Sequence, residues 1–201
     1  MERIAGGFVS HVQKYIFDPL GMKSTTYLPR DRDDVWRRRL QMVERVHNEL
    51  LPRDEDTQGL TGSIDDIAVL FADLLSPRSK LLEPQNIELL FTGQLAPGTP
   101  AWRDLHENSD NYAFVTGKLG DGLSLPSLNW TFAGLLTQAE LPCSKLPGGT
   151  VTWEGWPNVL WAMNRDRRIA AFFATQLIPG GDRKANEVAL MFMEGVWKTF
   201  A

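Results

Sequence analysis

The residues of this chain with the clearest potential for chemistry lie near its end, where Trp153-Glu154-Gly155 follows a glycine pair and precedes two strand-like segments. Glu154 could act as a general base. Alternate side chains of a strand point to opposite faces, however, so its carboxylate should point away from Trp153 and Gly155. A glycine in a strand lets another backbone or a ligand approach closely. The triplet alone therefore gives little support to carboxylate catalysis, and tryptophans in strand pairs are usually part of the core.

Cysteine and histidine offer little further chemistry. The chain has one cysteine, Cys143, which excludes an internal disulfide and a multi-cysteine metal site. No histidine lies near it in sequence, so it is interpreted as a loop thiol without a role. The three histidines have no metal-ligand spacing such as HExxH; they are His11, His47 and His106. We therefore expect no metal and no cofactor.

The composition is that of an ordinary globular protein, with 201 residues, 43% hydrophobic and 23% charged. The formal net charge is −4 and the two signs are interspersed, which predicts no surface for nucleic acid. No apolar run approaches the ~20 residues of a membrane span, and no secretory signal precedes the first predicted element. We expect a soluble, cytoplasmic protein that binds neither nucleic acid nor a membrane.

Residues 1–111 are predicted to be mainly helix and loop. Apolar residues at helical spacing predict a helix over residues 2–15, where Pro19 stops the pattern and Gly21 suits a helix end or turn. Residues 31–50 could form a second, highly charged helix, or they could be an irregular excursion. This part of the chain is therefore predicted less sharply than the helices that follow it.

Three later helices have clearer signals. Ser63 is followed three residues later by Asp66, the spacing of a helix cap, and the apolar stripe that follows ends before Pro77. A short helix over 84–91 starts with a proline. The last segment, 182–200, is predicted as an amphipathic helix. Its apolar side is assigned to Ala185, Val188, Ala189, Phe192, Met193 and Val196.

Residues 112–201 are predicted to contain the sheet strands and this closing helix. "YAFVTGKL" and "LNWTFAGLLT" are each interpreted as a strand. "NVLWAMN" and "RIAAFFATQ" are predicted to pair antiparallel, connected by Arg165-Asp166-Arg167. Helices followed by strands and a closing helix favour an α+β fold with an antiparallel sheet, forming one domain over residues 1–201.

Four stretches together resemble the serine β-lactamase and penicillin-binding-protein superfamily, and within it the lovastatin-type transesterases and esterases of fungal polyketide pathways. The stretches are "YIFDPLGMKSTTYLP", "GLTGSIDDIAVLFADLL", "LLEPQNIELLFTGQ" and "GGTVTWEGWPNVLWAMNRDRRIAAFFATQ". They occur in the family's order and cover most of the chain except residues 31–55. The resemblance implies a β-lactamase/transpeptidase-like fold.

The resemblance also implies a role for the triplet. In this superfamily an edge strand presents a signature such as Lys-Thr-Gly or Trp-x-Gly, and Trp153-Glu154-Gly155 matches that position. A backbone N–H near Gly155 or Trp156 would then form half of an oxyanion hole. Trp153 would replace the group that recognises a lactam carboxylate, which favours an apolar acyl or alcohol partner. The substrate-binding residues implied are Trp153, Glu154, Gly155, Trp156 and Trp161.

The family's two catalytic motifs are missing from the 201 residues. No serine is followed by a lysine at the third position, and no tyrosine begins a Tyr-x-Asn or Tyr-x-Ser motif. No Gly-x-Ser-x-Gly elbow replaces them. Family members place both motifs upstream of the Pro-Leu-Gly-Met loop, so the chain resembles the C-terminal portion of such an enzyme, apparently truncated at the N-terminus.

Two interpretations follow. In the first, the chain is part of a serine acyltransferase or esterase, inactive alone, that binds a hydrophobic acyl or polyketide-like molecule. In the second, it is a pseudoenzyme that binds or isomerises a hydrophobic metabolite, or a protein that binds a partner. A sheet without its edge partners exposes backbone and apolar surface. A truncated form could cover that surface by forming a homo-oligomer or by binding a complementing chain. A folded, defined oligomer would favour the second interpretation, and an aggregating fragment would favour the first.

Overall fold

The fold is taken from a computed structural model that describes residues 7–53, 59–108, 112, 128–141 and 144–200. Its helices and strands are, in chain order, α1 Phe8–Val12, a π-helical turn Gln13–Phe17, α2 Asp18–Leu20, a 3₁₀ turn Pro29–Asp31, α3 Asp33–Trp36, β1 Val43–Val46, β2 Glu49–Pro52, α4 Ile64–Leu75, α5 Pro84–Phe91, α6 Pro100–Glu107, β3 Leu128–Trp130, β4 Leu135–Thr137, β5 Thr150–Gly155, β6 Val159–Asn164, β7 Ile169–Phe173, β8 Leu177–Ile178 and α7 Arg183–Phe200. The α+β class with antiparallel sheet is confirmed.

The first helical region runs further than its sequence pattern predicts. α1, the π-helical turn and α2 follow one another without a break to Leu20, so Pro19 does not stop the helix. Gly21 does end it, in the left-handed conformation with φ of 70°. The Met22 N–H donates to the Phe17 carbonyl at 2.9 Å, as in a glycine-terminated helix.

A helix over residues 31–50 is wrong. The segment contains the four-residue α3 and then the hairpin of β1 and β2, in which Val43 lies opposite Pro52. His47 and Asn48 form the connecting turn with φ of 47° and 73°. Two consecutive left-handed residues suit a tight hairpin turn and break a helix, and this local signal outweighs the scattered apolar residues.

The two helices that follow this hairpin, α4 and α5, agree with prediction. α4 begins where the Ser63 hydroxyl accepts a hydrogen bond from the Asp66 N–H at 3.2 Å, and it ends before Pro77. α5 spans the predicted residues. α6 was not predicted, although Thr99 caps it and Pro100 stands at its first position, both ordinary start signals.

Two sheets are described. Strands β3, β4, β5, β6 and β7 form an antiparallel sheet in that order, and the predicted pairing of β6 with β7 is confirmed. "LNWTFAGLLT" is not one strand, because it turns between Trp130 and Leu135 and pairs with itself as β3 and β4. "YAFVTGKL" lies outside the described residues except for Tyr112. β2, β1 and β8 form a smaller sheet, in which β1 and β8 run parallel.

The main core lies between the five-stranded sheet, α6 and α7. It comprises Leu105, Leu128, Leu135, Leu141, Leu146, Leu160, Ala162, Ala171, Ala189, Met193 and Trp197. α7 is amphipathic as predicted, but Val188 and Phe192 are 54% and 40% exposed, whereas Leu190 and Trp197 are buried. Among the described residues, no helix has the length and apolar character needed to cross a membrane.

Candidate active site

Strand β5 has two halves with different neighbours. Over Thr150–Thr152, the paired half, it lies between β4 and β6, and Thr152 stands opposite Leu135. Over Trp153–Gly155, the free half, it pairs only with β6, because β4 begins at Leu135. Among the described residues, the other edge of the free half therefore has no neighbouring strand.

The backbone of Glu154 points towards this free edge. A Cβ built on Gly134 would lie 2.8 Å from the carbonyl oxygen of Thr152, so that carbonyl points towards β4. Backbone groups of alternate residues point to the same side of an antiparallel strand. The N–H and C=O of Glu154 therefore point as those of Thr152 do, whereas those of Trp153 and Gly155 point towards β6.

Trp153 is half-buried and packs against the main core. Its ring centroid lies 4.9 Å from that of Trp130 and 6.1 Å from that of Tyr112. The Trp130 and Tyr112 rings contact each other edge to face, with centroids 5.7 Å apart. The Trp153 indole thus contacts two other aromatic rings, so it can serve as part of a fixed wall.

Trp161 lies directly opposite Trp153 in the ladder but packs in another direction. Its ring centroid is 6.0 Å from that of Phe71 on α4, and Phe71 also contacts Phe172 of β7 at 6.0 Å. The Cη2 atom of Trp161 would lie 3.2 Å from a Cβ on Gly134, so this indole needs a glycine there. Trp161 belongs to the contact between the sheet and α4.

Glu154 is half-buried and stands opposite Leu160, on the other face of the strand from Trp153. Burial raises the pKa of its carboxyl group above the ordinary value. None of the described residues forms a hydrogen bond or an ion pair with this carboxyl group. The site therefore holds a carboxyl that is harder to ionise than a solvent-exposed glutamate.

The turn between β5 and β6 presents Trp156, whose side chain is 65% exposed. The turn itself is held firmly. The Thr175 hydroxyl donates a short hydrogen bond to the Pro157 carbonyl, and a Cβ on Gly180 would lie 3.1 Å from the Trp156 carbonyl oxygen. Sequence reasoning missed Thr175 and the buried Asn158; the Pro157-Asn158 pair of turn-forming residues was the available signal.

The five residues predicted to bind substrate thus lie in one hairpin, but their rings do not converge on a common cavity. Trp153 packs towards Trp130, Trp161 packs towards Phe71, and Trp156 is exposed at the turn. Their roles in binding remain predictions. Cys143 lies outside the described residues.

Two buried carboxylates elsewhere accept structural hydrogen bonds. Asp66 accepts from the Ser24 N–H at 2.8 Å and from the Thr25 hydroxyl at 2.7 Å. Asp73 accepts from the Lys80 N–H at 2.7 Å and from a serine hydroxyl. Within the part of the chain that the structure describes, no group of three or more His, Cys, Asp or Glu side chains could hold a metal ion.

The chain belongs to the β-lactamase family, whose family model matches residues 1–191. The relatives that it matches include fungal acyltransferases. It is 31% identical to acyltransferase calJ of Penicillium decumbens over 150 residues, covering 74% of this chain and 35% of the relative. It is 22% identical to ML-236A carboxylate methylbutanoyltransferase mlcH of Penicillium citrinum, covering 92% of this chain and 47% of the relative.

The fold is similar to that of simvastatin synthase LovD from Aspergillus terreus, with a TM-score of 0.84 at 22% sequence identity. The match covers 99% of this chain and 52% of LovD. The predicted β-lactamase-like fold is confirmed by this likeness. The chain spans about half the length, or less, of the relatives that it matches.

Proposed function

We propose that this chain supplies the oxyanion-hole strand and one wall of the acyl site in a β-lactamase-like serine acyltransferase. The observation that carries the proposal is the free edge of β5 over Trp153–Gly155, in a member of this family. A strand edge without a neighbour offers N–H groups that no ladder has used. Such groups can donate to the negative charge that develops on an attacked carbonyl.

The N–H of Trp156 is the donor that fits this role. Trp156 is the first residue of the turn after β5, which ends at Gly155, so its N–H is not part of the β5–β6 ladder. The N–H of Gly155 points towards β6, so of the two residues near which the donor is expected, we propose Trp156. Gly155 contributes by keeping the adjacent surface free of a side chain.

The proposed reaction is acyl transfer through an acyl-serine. The serine oxygen bonds to the acyl carbon, the bond to the donor thiol or alcohol breaks, and the donor leaves with the serine proton. An acceptor alcohol, or water, then attacks the acyl-serine and returns its proton to the serine. Because the 201 residues hold neither Ser-x-x-Lys nor Tyr-x-Asn/Ser, these groups come from a segment or chain outside them.

A hydrophobic acyl group or polyketide-like acceptor is the proposed substrate class in secondary metabolism. Two relatives are named as an acyltransferase and a methylbutanoyltransferase. The exposed indole of Trp156 and the half-buried indole of Trp153 would give such a molecule an apolar wall. Glu154 points to the other face of the strand from Trp153. Trp161 stands opposite Trp153 in the ladder and packs against Phe71.

The test is a chimera in which the part of calJ that precedes its match is joined to this chain. Trp156→Pro removes the backbone N–H, whereas Trp156→Ala keeps it and removes only the indole. Losing one oxyanion-hole donor costs about 10²–10³-fold in kcat. We expect that loss of acyl transfer in W156P and a smaller change, mainly in KM, in W156A. Thermal unfolding of both variants shows whether each remains folded.

Equal activity of folded W156P and W156A would contradict the donor assignment. The 201-residue chain alone should not be labelled covalently by an active-site phosphonate, and stoichiometric labelling at a serine would overturn the proposal. If the chimera is folded but never forms an acyl-serine, the proposal fails. Binding of a hydrophobic metabolite by the chain alone would then favour the non-hydrolytic interpretation.

A further inference from the structure

The β5–β6 turn, which contains Trp156, is connected to neighbouring elements by the hydrogen bonds of one buried side chain. Asn158 is 0% exposed and has a left-handed backbone with φ of 52°. Its side-chain nitrogen donates to the Leu177 carbonyl at 2.7 Å and to the Pro179 carbonyl at 3.0 Å. Its side-chain oxygen accepts from the Asp182 N–H at 2.9 Å. Both amide N–H groups and the oxygen are therefore used.

The partners of Asn158 are themselves fixed. Leu177 lies in β8 and pairs with Val43 of β1. Asp182 accepts from the Ala185 N–H at 2.9 Å at the start of α7, and it forms an ion pair with Arg45 at 2.7 Å. One asparagine thus ties the β5–β6 turn to the smaller sheet and to the first turn of α7.

We propose that Asn158 is a positioning residue, which holds the β5–β6 turn so that the Trp156 N–H keeps a fixed position at the end of the free half of β5. The inference rests on the proposed function of that N–H. Within the described residues, the turn is otherwise held by the Thr175 contact to Pro157, the packing of Gly180 on Trp156 and the Gly155–Val159 pair of the ladder. A donor that moves by about 1 Å can lose most of its catalytic effect.

Asn158→Asp is the primary variant. Aspartate has the same shape, tolerates the left-handed conformation and can still accept from the Asp182 N–H. It cannot donate to the two carbonyls when ionised. Asn158→Gly is the second variant, because glycine adopts a positive φ without strain and leaves space that water can fill. It keeps the inference testable if N158D does not fold.

Asn48→Asp is the matched control. Asn48 is also left-handed, with φ of 73°, and also lies in a hairpin turn. Its side chain is exposed, and its oxygen accepts only from the Lys184 ammonium group at 3.2 Å. The same chemical change there should leave Trp156 unaffected.

The first measurement is ¹⁵N relaxation of the Trp156 backbone amide in the 201-residue chain. We expect its order parameter to fall from about 0.85 to below about 0.6 in N158D and to stay unchanged in N48D. Amides in the paired half of β5 should not change in either variant. A Trp156 amide as rigid in folded N158D and N158G as in the wild type would overturn the inference.

The second measurement is acyl transfer by the chimera. N158D should lower kcat about ten- to a hundredfold with little change in KM, since the donor acts on the transition state. A loosened Trp156 with unchanged kcat would overturn the positioning role. A wild-type chimera without activity would instead count against the proposed function, and the relaxation result would still decide whether Asn158 fixes the turn.

Discussion

The two halves of β5 differ in burial, in pairing and in what they can do. Thr150, Val151 and Thr152 of the paired half are all 0% exposed, between strands on both sides. The residues of the free half, Trp153–Gly155, are only partly buried and pair on one side. Within the described part of the chain, β5 thus combines a part that pairs with strands on both sides and a part that pairs on one side.

Each end of the β5–β6 hairpin is closed by a buried asparagine. Asn164 donates from its amide to the Gly148 carbonyl at 3.1 Å and to the Thr150 hydroxyl at 3.0 Å. At the other end, Asn158 makes its hydrogen bonds to Leu177, Pro179 and Asp182. Because both ends are fixed, the free half can keep a defined geometry although, among the described residues, no strand pairs with its other edge. Rigid support around an unused edge is what a preorganised donor requires.

The largest expected effect comes from a matched pair of valines. Val151 lies in the paired half and is 0% exposed, whereas Val159 lies opposite Gly155 and is partly exposed. Val151→Ala should destabilise the fold by about 2–3 kcal/mol through lost burial and the remaining cavity. Val159→Ala should cost about 1 kcal/mol or less, because water already reaches this side chain. Urea unfolding with equal m-values measures both.

Equal losses of stability in V151A and V159A would contradict the difference between the two halves of β5. They would mean that the free half is as important for stability as the paired half. It would then be less available for a ligand. A larger loss for V159A would imply that another chain covers the free edge in solution, and the oligomeric state would show this directly.

Exchanging a threonine and a valine compares the two halves of β5 again, with a smaller expected effect on stability. The Thr152 hydroxyl donates to the Trp161 carbonyl at 2.6 Å within the paired half. Thr152→Val keeps the shape and removes this bond, at a cost of about 1 kcal/mol. Val159→Thr makes the reverse change at the free end and should stay within about 0.5 kcal/mol. Thermal unfolding of the two variants at one pH provides the comparison.

The fold class and most of the strands around the site could be predicted from the sequence, because the signals for them are local. The Ser63 cap, the proline at the start of α5 and the charged connection between β6 and β7 are each set by neighbouring residues. The hairpin of β1 and β2 was missed because its turn, His47-Asn48, has none of the glycine that such turns favour. Its register also depends on β8, which lies far away in the sequence.

The site was predictable only as far as the hairpin that carries it. Trp153-Glu154-Gly155 could be placed on a strand, and the family could be recognised from its motifs. Which way each indole packs could not, since Trp153 contacts Trp130 and Trp161 contacts Phe71, residues brought close by tertiary structure. The contacts of Asn158 could not be predicted either, because all three of its hydrogen-bond partners lie 19 or more residues away in the sequence.

The smallest effect concerns Glu154, the charged residue of the free half. Burial raises the pKa of its carboxyl group above its value in the unfolded chain, so the folded state holds the proton more tightly. Ionisation therefore lowers stability at every pH above the folded pKa. This cost disappears as the pH falls through the folded pKa towards the unfolded pKa, and it is absent below both.

Glu154→Gln tests the stability cost of ionising Glu154, because glutamine has the same shape and carries no charge at any pH. We expect E154Q to be slightly more stable than the wild type at about pH 8 and equally stable at about pH 3, where both forms are neutral. Glu88→Gln, at an exposed position of α5, controls for the loss of one negative charge. An advantage of E154Q that grows as the pH falls would mean that the carboxylate has a partner, and the free half would then be less open than its strand pairing indicates.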